Sequence, residues 1–175
     1  FEADNPQALA AAFGLDSLPG PAYAVIWTTT AWTLPANQAL NANPDLEYAL
    51  VSTPRGVLLL GRKLVEQALE RYGLKGDTAK GQALAGLAFR HPLHDAADAG
   101  SGPYSYRRLS PVYLADYVSD SDGTGIVHSA PAYGVDDYQS CMAHGMRTDD
   151  ILNPVQPHGS YVAELPLFGG LNIWK

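Results

Sequence analysis

Seventeen glycines and thirteen prolines divide these 175 residues so finely that no apolar run is longer than six residues, as at Ala22 to Trp27. A membrane-spanning helix needs about 20 apolar residues, so none is expected, and the opening FEADNPQ lacks the basic, apolar pattern of a signal peptide. Short runs rich in β-branched and aromatic residues, each bounded by turn formers, predict many short strands. Such segments stabilise one another only in a shared sheet, and 46% hydrophobic residues suffice for one core and exclude disorder. A strand-dominated α+β fold with a few short helices, of distorted β-barrel type, is expected as one domain over residues 1–175. The lack of alternating βαβ units argues against a doubly wound sheet.

Particular elements follow from local chemistry. Asn5 before Pro6 predicts a capped helix start, with Leu9 and Phe13 on one face. Ala22 to Thr30 reads as a strand, and Pro35, Asn37, Asn41, Asn43 and Pro44 as loop and turn. Leu46 to Ser52, Thr53 to Gly56 and Val57 to Leu60 read as a hairpin. Leu64, Val65, Ala68, Leu69 and Tyr72 predict an amphipathic helix over Arg62 to Tyr72, stopped by Gly73. Further strands are expected at Ala83 to Arg90, Val112 to Val118, Ile126 to Ser129 and Val162 to Ile173, with a helix at Asp136 to His144. His94 to Gly102 reads as a mobile surface loop.

Eleven basic residues against 18 acidic ones give a net charge of −7, the opposite of what a chain that grips DNA or RNA by its phosphates requires. Leu109 to Met146 holds five acids and no Lys or Arg. Any polynucleotide partner must be carried mostly by something else. One cysteine, Cys141, excludes an internal disulfide and suits a reducing, cytoplasmic setting. The start without Met and the strand-like end at Asn172 to Lys175 are read as marks of a piece excised from a larger chain.

Two stretches carry the chemistry. The first, Trp27-Thr28-Thr29-Thr30-Ala31-Trp32-Thr33-Leu34-Pro35-Ala36-Asn37, concentrates hydroxyls; in a strand, Thr28 and Thr30 share one face. The second runs from Gly123-Thr124-Gly125 through Ile126-Val127-His128-Ser129-Ala130-Pro131 to Asp136-Asp137-Tyr138. Its aspartates are read either as complements to a helix dipole or, for one of them, as a ligand group. A zinc site from His91, His94, Cys141 and His144 is weighed and set aside, because the two pairs lie far apart in sequence. A serine triad of His128, Ser129 and Asp137 is also set aside, since strand neighbours point to opposite faces.

Together, WTTTxWTLPAN and GTGxVHxAPxxGxDDY resemble the connective-peptide editing domain inserted in isoleucyl-tRNA synthetases, class I aminoacyl-tRNA synthetases, and the resemblance spans essentially the whole chain. Valyl and leucyl editing domains carry a Thr-Thr-Arg-Pro version of the first motif, so the isoleucyl type is favoured. The HIGH and KMSKS nucleotide-binding signatures are absent, which assigns activation, with its ATP and Mg, to a missing catalytic body. Ala31 stands where the family commonly has proline, and Tyr133 where many members have histidine.

The resemblance implies hydrolysis of the ester in mischarged Val-tRNA(Ile), without a metal or cofactor in this domain. Its partners would be the aminoacylated 3′ end of tRNA(Ile) and the rest of the synthetase. Asp137 would hold the amino acid's ammonium, with Asp136 as its solvent-facing neighbour. Thr28, Thr29 and Thr30 would position water and the developing oxyanion. Trp27, Thr33, Asn37 and Ala130 would line or orient the substrate site. His128 would be a wall that excludes isoleucine, a general base being the competing role. A domain that only binds the aminoacylated end, and a valyl or leucyl type of editing domain, are the alternative readings.

Overall fold

The computed structural model describes residues 1–68 and 74–174, with side chains described for all of these except 66–68 and 74–77. Its nine strands are β1 (Glu2–Ala3), β2 (Ala22–Ala24), β3 (Ala39–Ala42), β4 (Glu47–Thr53), β5 (Gly56–Gly61), β6 (Leu74–Lys80), β7 (Ala88–Arg90), β8 (Leu109–Leu114) and β9 (Ile126–Ser129). Among the described residues three α-helices, α1 (Pro6–Ala12), α2 (Arg62–Ala68) and α3 (Val135–Ala143), accompany them. The strands join in the order β6-β4-β5-β2-β1-β7-β8-β3-β9. The fold is therefore α+β and strand-dominated, and the sheet is open rather than closed into a barrel: among the described residues β6 and β9 are its edges.

Local chemistry accounts for the elements read correctly. Asn5 accepts the amide of Ala8 at 3.0 Å and caps α1, whose Leu9 enters the core with Phe13 just beyond its end. The β4–β5 hairpin closes at Thr53 opposite Gly56, and β9 has the expected bounds. Helix α3 begins one residue before Asp136. The expected helix from Arg62 is seen to Ala68; its continuation to Tyr72 and the stop at Gly73 lie outside the described residues.

Other readings are corrected. The strand at Ala22 ends at Ala24, so Thr28 to Thr30 lie in irregular chain. Residues 31–36 form a 3₁₀ turn, and within the stretch read as loop and turn Ala39–Ala42 is a fully buried strand of the sheet. Asn41 disguised it: its amide donates to Ser140 on the buried face of α3 while Leu40 and Ala42 face the core. Only Ala88–Arg90 of the stretch from Ala83 is strand, because Gly81–Leu84 turns as 3₁₀; β6 before it was not anticipated. The strand expected at Val112 to Val118 is β8, displaced to Leu109–Leu114, where the chain pairs with β7. Val162 to Ile173 makes turns and isolated bridges, since its carbonyls are met at short range, as in Gly169 to Leu165. His94 to Gly102 is a string of hydrogen-bonded turns with Ala99 fully buried.

The main core gathers Leu9, Phe13, Leu40, Tyr48, Leu50, Leu59 and Phe89. A second cluster joins Ala99, Tyr106, Tyr161 and Leu165, and His91 stacks on Tyr106 with ring centroids 4.8 Å apart. The second motif is pinned to the hairpin at two points. Gly61 donates its amide to Thr124 at 2.7 Å, and the Tyr48 hydroxyl donates to the Gly125 carbonyl at 2.6 Å. Gly125 has φ +76°, and a Cβ there would stand 3.2 Å from the Gly61 Cα, so the close crossing requires glycine.

Two outcomes follow from these burials. Tyr48→Phe leaves the Gly125 carbonyl without its hydroxyl donor and lowers stability by about 1–3 kcal/mol in urea titration; an unchanged midpoint contradicts that role. Burial lowers the His91 pKa from 6.5 to about 4, so between those values the unfolded chain takes up a proton that the fold resists. Stability then falls as pH drops through that window, by roughly 3 kcal/mol at most. His91→Gln should flatten this part of the pH profile, and an unaltered slope contradicts the assignment.

Candidate functional site

The two motifs meet at the imidazole of His128. β9 runs antiparallel to β3 with His128 opposite Leu40, which places the ring on the inner face of the sheet, 6% exposed. The first motif arrives as the 31–36 turn and presents Thr33 and Asn37, both buried, to that ring. Thr33 Oγ1 lies 3.0 Å from His128 Nε2 and spends its own proton on the Thr30 carbonyl at 2.8 Å. It therefore accepts from Nε2–H. Asn37 Nδ2 stands 3.4 Å from Nδ1 and donates to the Ala39 carbonyl, while Asn37 Oδ1 accepts from Ser110 at 2.6 Å. The network assigns a neutral imidazole protonated on Nε2, with both nitrogens engaged. Burial lowers its pKa, and the Asp137 charge pulls the other way.

Asp137 lies in the first turn of α3 and does not cap it; the N-cap is Gly134, with no side-chain bond. Its Oδ2 accepts the amide of Ala130 at 2.9 Å and its Oδ1 the hydroxyl of Tyr117 at 3.4 Å. Ala130 is itself buried, so its contribution is a main-chain donor. A Cβ at position 134 would come within 2.9 Å of Oδ2, so Gly134 leaves the carboxylate room to fold back against the strand end. Asp137 is half-buried and Asp136 exposed. Burial, with the Asp137 charge beside it, pushes the Tyr117 phenol above its ordinary range and keeps it a donor.

A cavity of about 310 Å³ opens between the motifs, lined by Trp27, Thr28, Thr29, Tyr117, Val118 and the Gly123 to Val127 strand entry. Thr30, His128 and Asp137 are not on its wall; Tyr117 connects it to Asp137. Trp27 is 60% exposed at this cavity. Thr28 Oγ1 accepts the Thr30 amide at 3.1 Å, a local turn that replaces the expected strand alternation and leaves the Thr29 and Thr30 side chains toward solvent. Thus Thr33, Asn37, His128, Ala130 and Asp137 come together, and Thr28 and Thr29 face an adjoining hollow.

Both departures from the family pattern are accommodated. Ala31 opens the 3₁₀ turn. Tyr133 meets Trp32 edge-on at 5.1 Å, and its hydroxyl donates to Asn153 and accepts the Val155 amide. The residues of the set-aside zinc site lie apart in role: His91 donates to Leu34, Cys141 on the buried face of α3 meets Ser129, and His144 stacks on Tyr113. Among the described residues no three His, Cys, Asp or Glu side chains are grouped to hold a metal. No described helix is long and apolar enough to cross a membrane.

Several residues at this site carry no motif. Tyr117 supports Asp137, Ser110 orients Asn37, and Arg108, His91 and Tyr161 hold carbonyls of the 31–37 turn. A proline at 35 was the one sequence signal, since it removes the amide that would satisfy the Trp32 carbonyl in a 3₁₀ turn.

No family model matches the chain. It is 56% identical over 179 residues to the isoleucine–tRNA ligase of Chromohalobacter salexigens, covering 100% of this chain and 18% of that protein. It is 59% identical over 180 residues to that of Bordetella petrii, covering 98% and 18%. The chain thus spans less than a fifth of the length of these relatives. Among solved structures, GlLeuRS-CP1 superposes with a TM-score of 0.61 at 16% identity, covering 89% of this chain and 76% of that one. The Plasmodium knowlesi cytosolic leucyl-tRNA synthetase editing domain superposes at 0.58 with 12% identity, covering 87% and 67%. Matched along its whole length by isoleucine–tRNA ligases, the chain belongs to that family, and it has the fold of leucyl-tRNA synthetase editing domains.

Proposed function

We propose that this domain hydrolyses the ester of mischarged Val-tRNA(Ile) and spares cognate Ile-tRNA(Ile) by pocket size. The need is physical: one methylene is worth only about 1–3 kcal/mol in an apolar pocket, a limit for which isoleucyl-tRNA synthetases are themselves the reference case. A second, smaller pocket supplies the missing discrimination. The reading is carried by the Thr33–His128–Asn37 network, which brings the two motifs together.

In this reading the ammonium of the valyl group pairs with Asp137, whose two bonds to Ala130 and Tyr117 leave lone pairs to spare. His128 is the wall. Both of its nitrogens are occupied, so it lacks the free lone pair that a general base needs. Thr28, Thr29 and Thr30 place water and steady the oxyanion, with Trp27 at the edge for the nucleotide. Water adds to the acyl carbon, the acyl–oxygen bond breaks, and the ribose hydroxyl leaves with a proton while valine is released as the acid. An aminoacyl ester is already activated, so placement supplies much of the acceleration.

The chemistry calls for no metal or cofactor here; ATP and Mg serve the catalytic body elsewhere in the synthetase. That body would also grip the tRNA, since this chain carries a net charge of −7. The proposal places the domain in the cytoplasm as a module of the longer enzyme. The identity to isoleucine–tRNA ligases favours the isoleucyl reading over a valyl or leucyl one.

Two variants of the full-length enzyme test the roles. Asp137→Asn keeps the shape and removes the charge, and should slow deacylation of Val-tRNA(Ile) roughly 10–100-fold while aminoacylation is unchanged; undiminished release of valine removes Asp137 from the site. His128→Ala should keep valine release and begin to release isoleucine from Ile-tRNA(Ile). A variant inactive on both esters overturns the wall. A wild-type enzyme that binds Val-tRNA(Ile) and releases nothing would establish the alternative of a domain that only binds.

A further inference from the structure

The turn that carries Thr33 and Asn37 is held from outside by side chains acting on its carbonyls. Pro35 has no amide, and the carbonyl it would have met, that of Trp32, accepts the Tyr161 hydroxyl at 2.6 Å. The Leu34 carbonyl accepts His91 Nε2–H at 2.8 Å, with His91 Nδ1 taking the Leu93 amide. Pro35 and Asn37 carbonyls both accept from Arg108, Nη2 at 2.6 Å and Nε at 2.9 Å, and Nη1 reaches Ser105 at 2.7 Å. Among the described residues Arg108 has no carboxylate partner; its guanidinium sits 5.6 Å over the Tyr106 ring.

Even a half-buried cation without an anion is costly unless main-chain dipoles replace one, and here the end of the 3₁₀ turn does so. Burial lowers the Arg108 pKa only to about 10, so it remains charged at neutral pH. The planar fork matters because the three carbonyls are met by N–H groups on three separate nitrogens held in one rigid plane, whereas an ammonium offers its three rotatable N–H groups from a single point. What the fork fixes is the residue that touches the wall: Arg108 bonds the Asn37 carbonyl, the Asn37 amide meets His128 Nδ1, and Nε2 then donates to Thr33.

We propose that Arg108 is the specificity-positioning residue of the editing pocket, setting through Asn37 where the His128 wall stands. The inference rests on the deacylase reading and adds to it a residue outside both motifs. A guanidinium serving only to stabilise the domain would lower valine and isoleucine release in proportion, whereas a positioning role changes their ratio.

The experiment uses full-length synthetase carrying this segment, as wild type, Arg108→Lys and Arg108→Met. Single-turnover release of valine from Val-tRNA(Ile) and of isoleucine from Ile-tRNA(Ile) is followed, with aminoacylation as the check on the rest of the enzyme. Both variants should shift the valine-to-isoleucine ratio about ten-fold or more toward isoleucine, as expected for losing a charge-assisted positioning contact. The lysine variant keeps a cation and a similar stem, so it decides the matter if the methionine variant does not fold. A ratio in Arg108→Lys within about two-fold of wild type, or both releases falling together, overturns the proposal. Wild type releasing neither amino acid would instead overturn the deacylase reading, before the variants are compared.

Discussion

A neutral imidazole bonded on both sides is the constraint around which this site is organised. A ring that is 6% exposed must have each nitrogen satisfied, and His128 meets this by donating to Thr33 and accepting from Asn37, residues more than ninety positions earlier. That requirement ties the end of β9 to the 31–36 turn. It also fixes the tautomer, because Thr33 has already given its proton to Thr30. A group held this way is rigid and uncharged, which suits excluding a side chain by volume and ill suits proton transfer.

Around that fixed point the electrostatics are divided. The carboxylate of Asp137 sits at the start of α3 with two donors aimed at it, one from the main chain and one from Tyr117. The cation of Arg108 sits on the other side of the turn against carbonyls alone. Neither neutralises the other, so the acid stays available for a cationic ligand while the base acts on the backbone. The chain's net charge of −7 is the opposite of what gripping phosphates requires.

Elements whose apolar pattern matched their period were legible from the residues alone: α1 with its Asn5 cap, the β4–β5 hairpin, β9 and α3. β3 was hidden because Asn41, a turn former by type, is buried and bonded to Ser140. Thr28 to Thr30 look like strand by propensity, but the Thr28 hydroxyl captures the Thr30 amide, a local bond that competes with the ladder. Both motifs were legible as a family pattern, and folding brings five of their residues together. Tyr117, Ser110, Arg108, His91 and Tyr161 were not, since they act through carbonyls, an amide and a carboxylate brought near only by folding. Such contacts leave no fixed spacing in the chain.

The most direct measurement is a crystal structure of the full-length enzyme with a hydrolysis-resistant valyl-adenosine mimic in which an amide replaces the ester. The account predicts the α-ammonium within hydrogen-bond distance of the Asp137 carboxylate, the isopropyl group against the His128 ring, and the acyl carbon facing the Thr28 to Thr30 hydroxyls. A mimic seated in this domain away from Asp137 and His128, or with its amine directed to solvent, would contradict it.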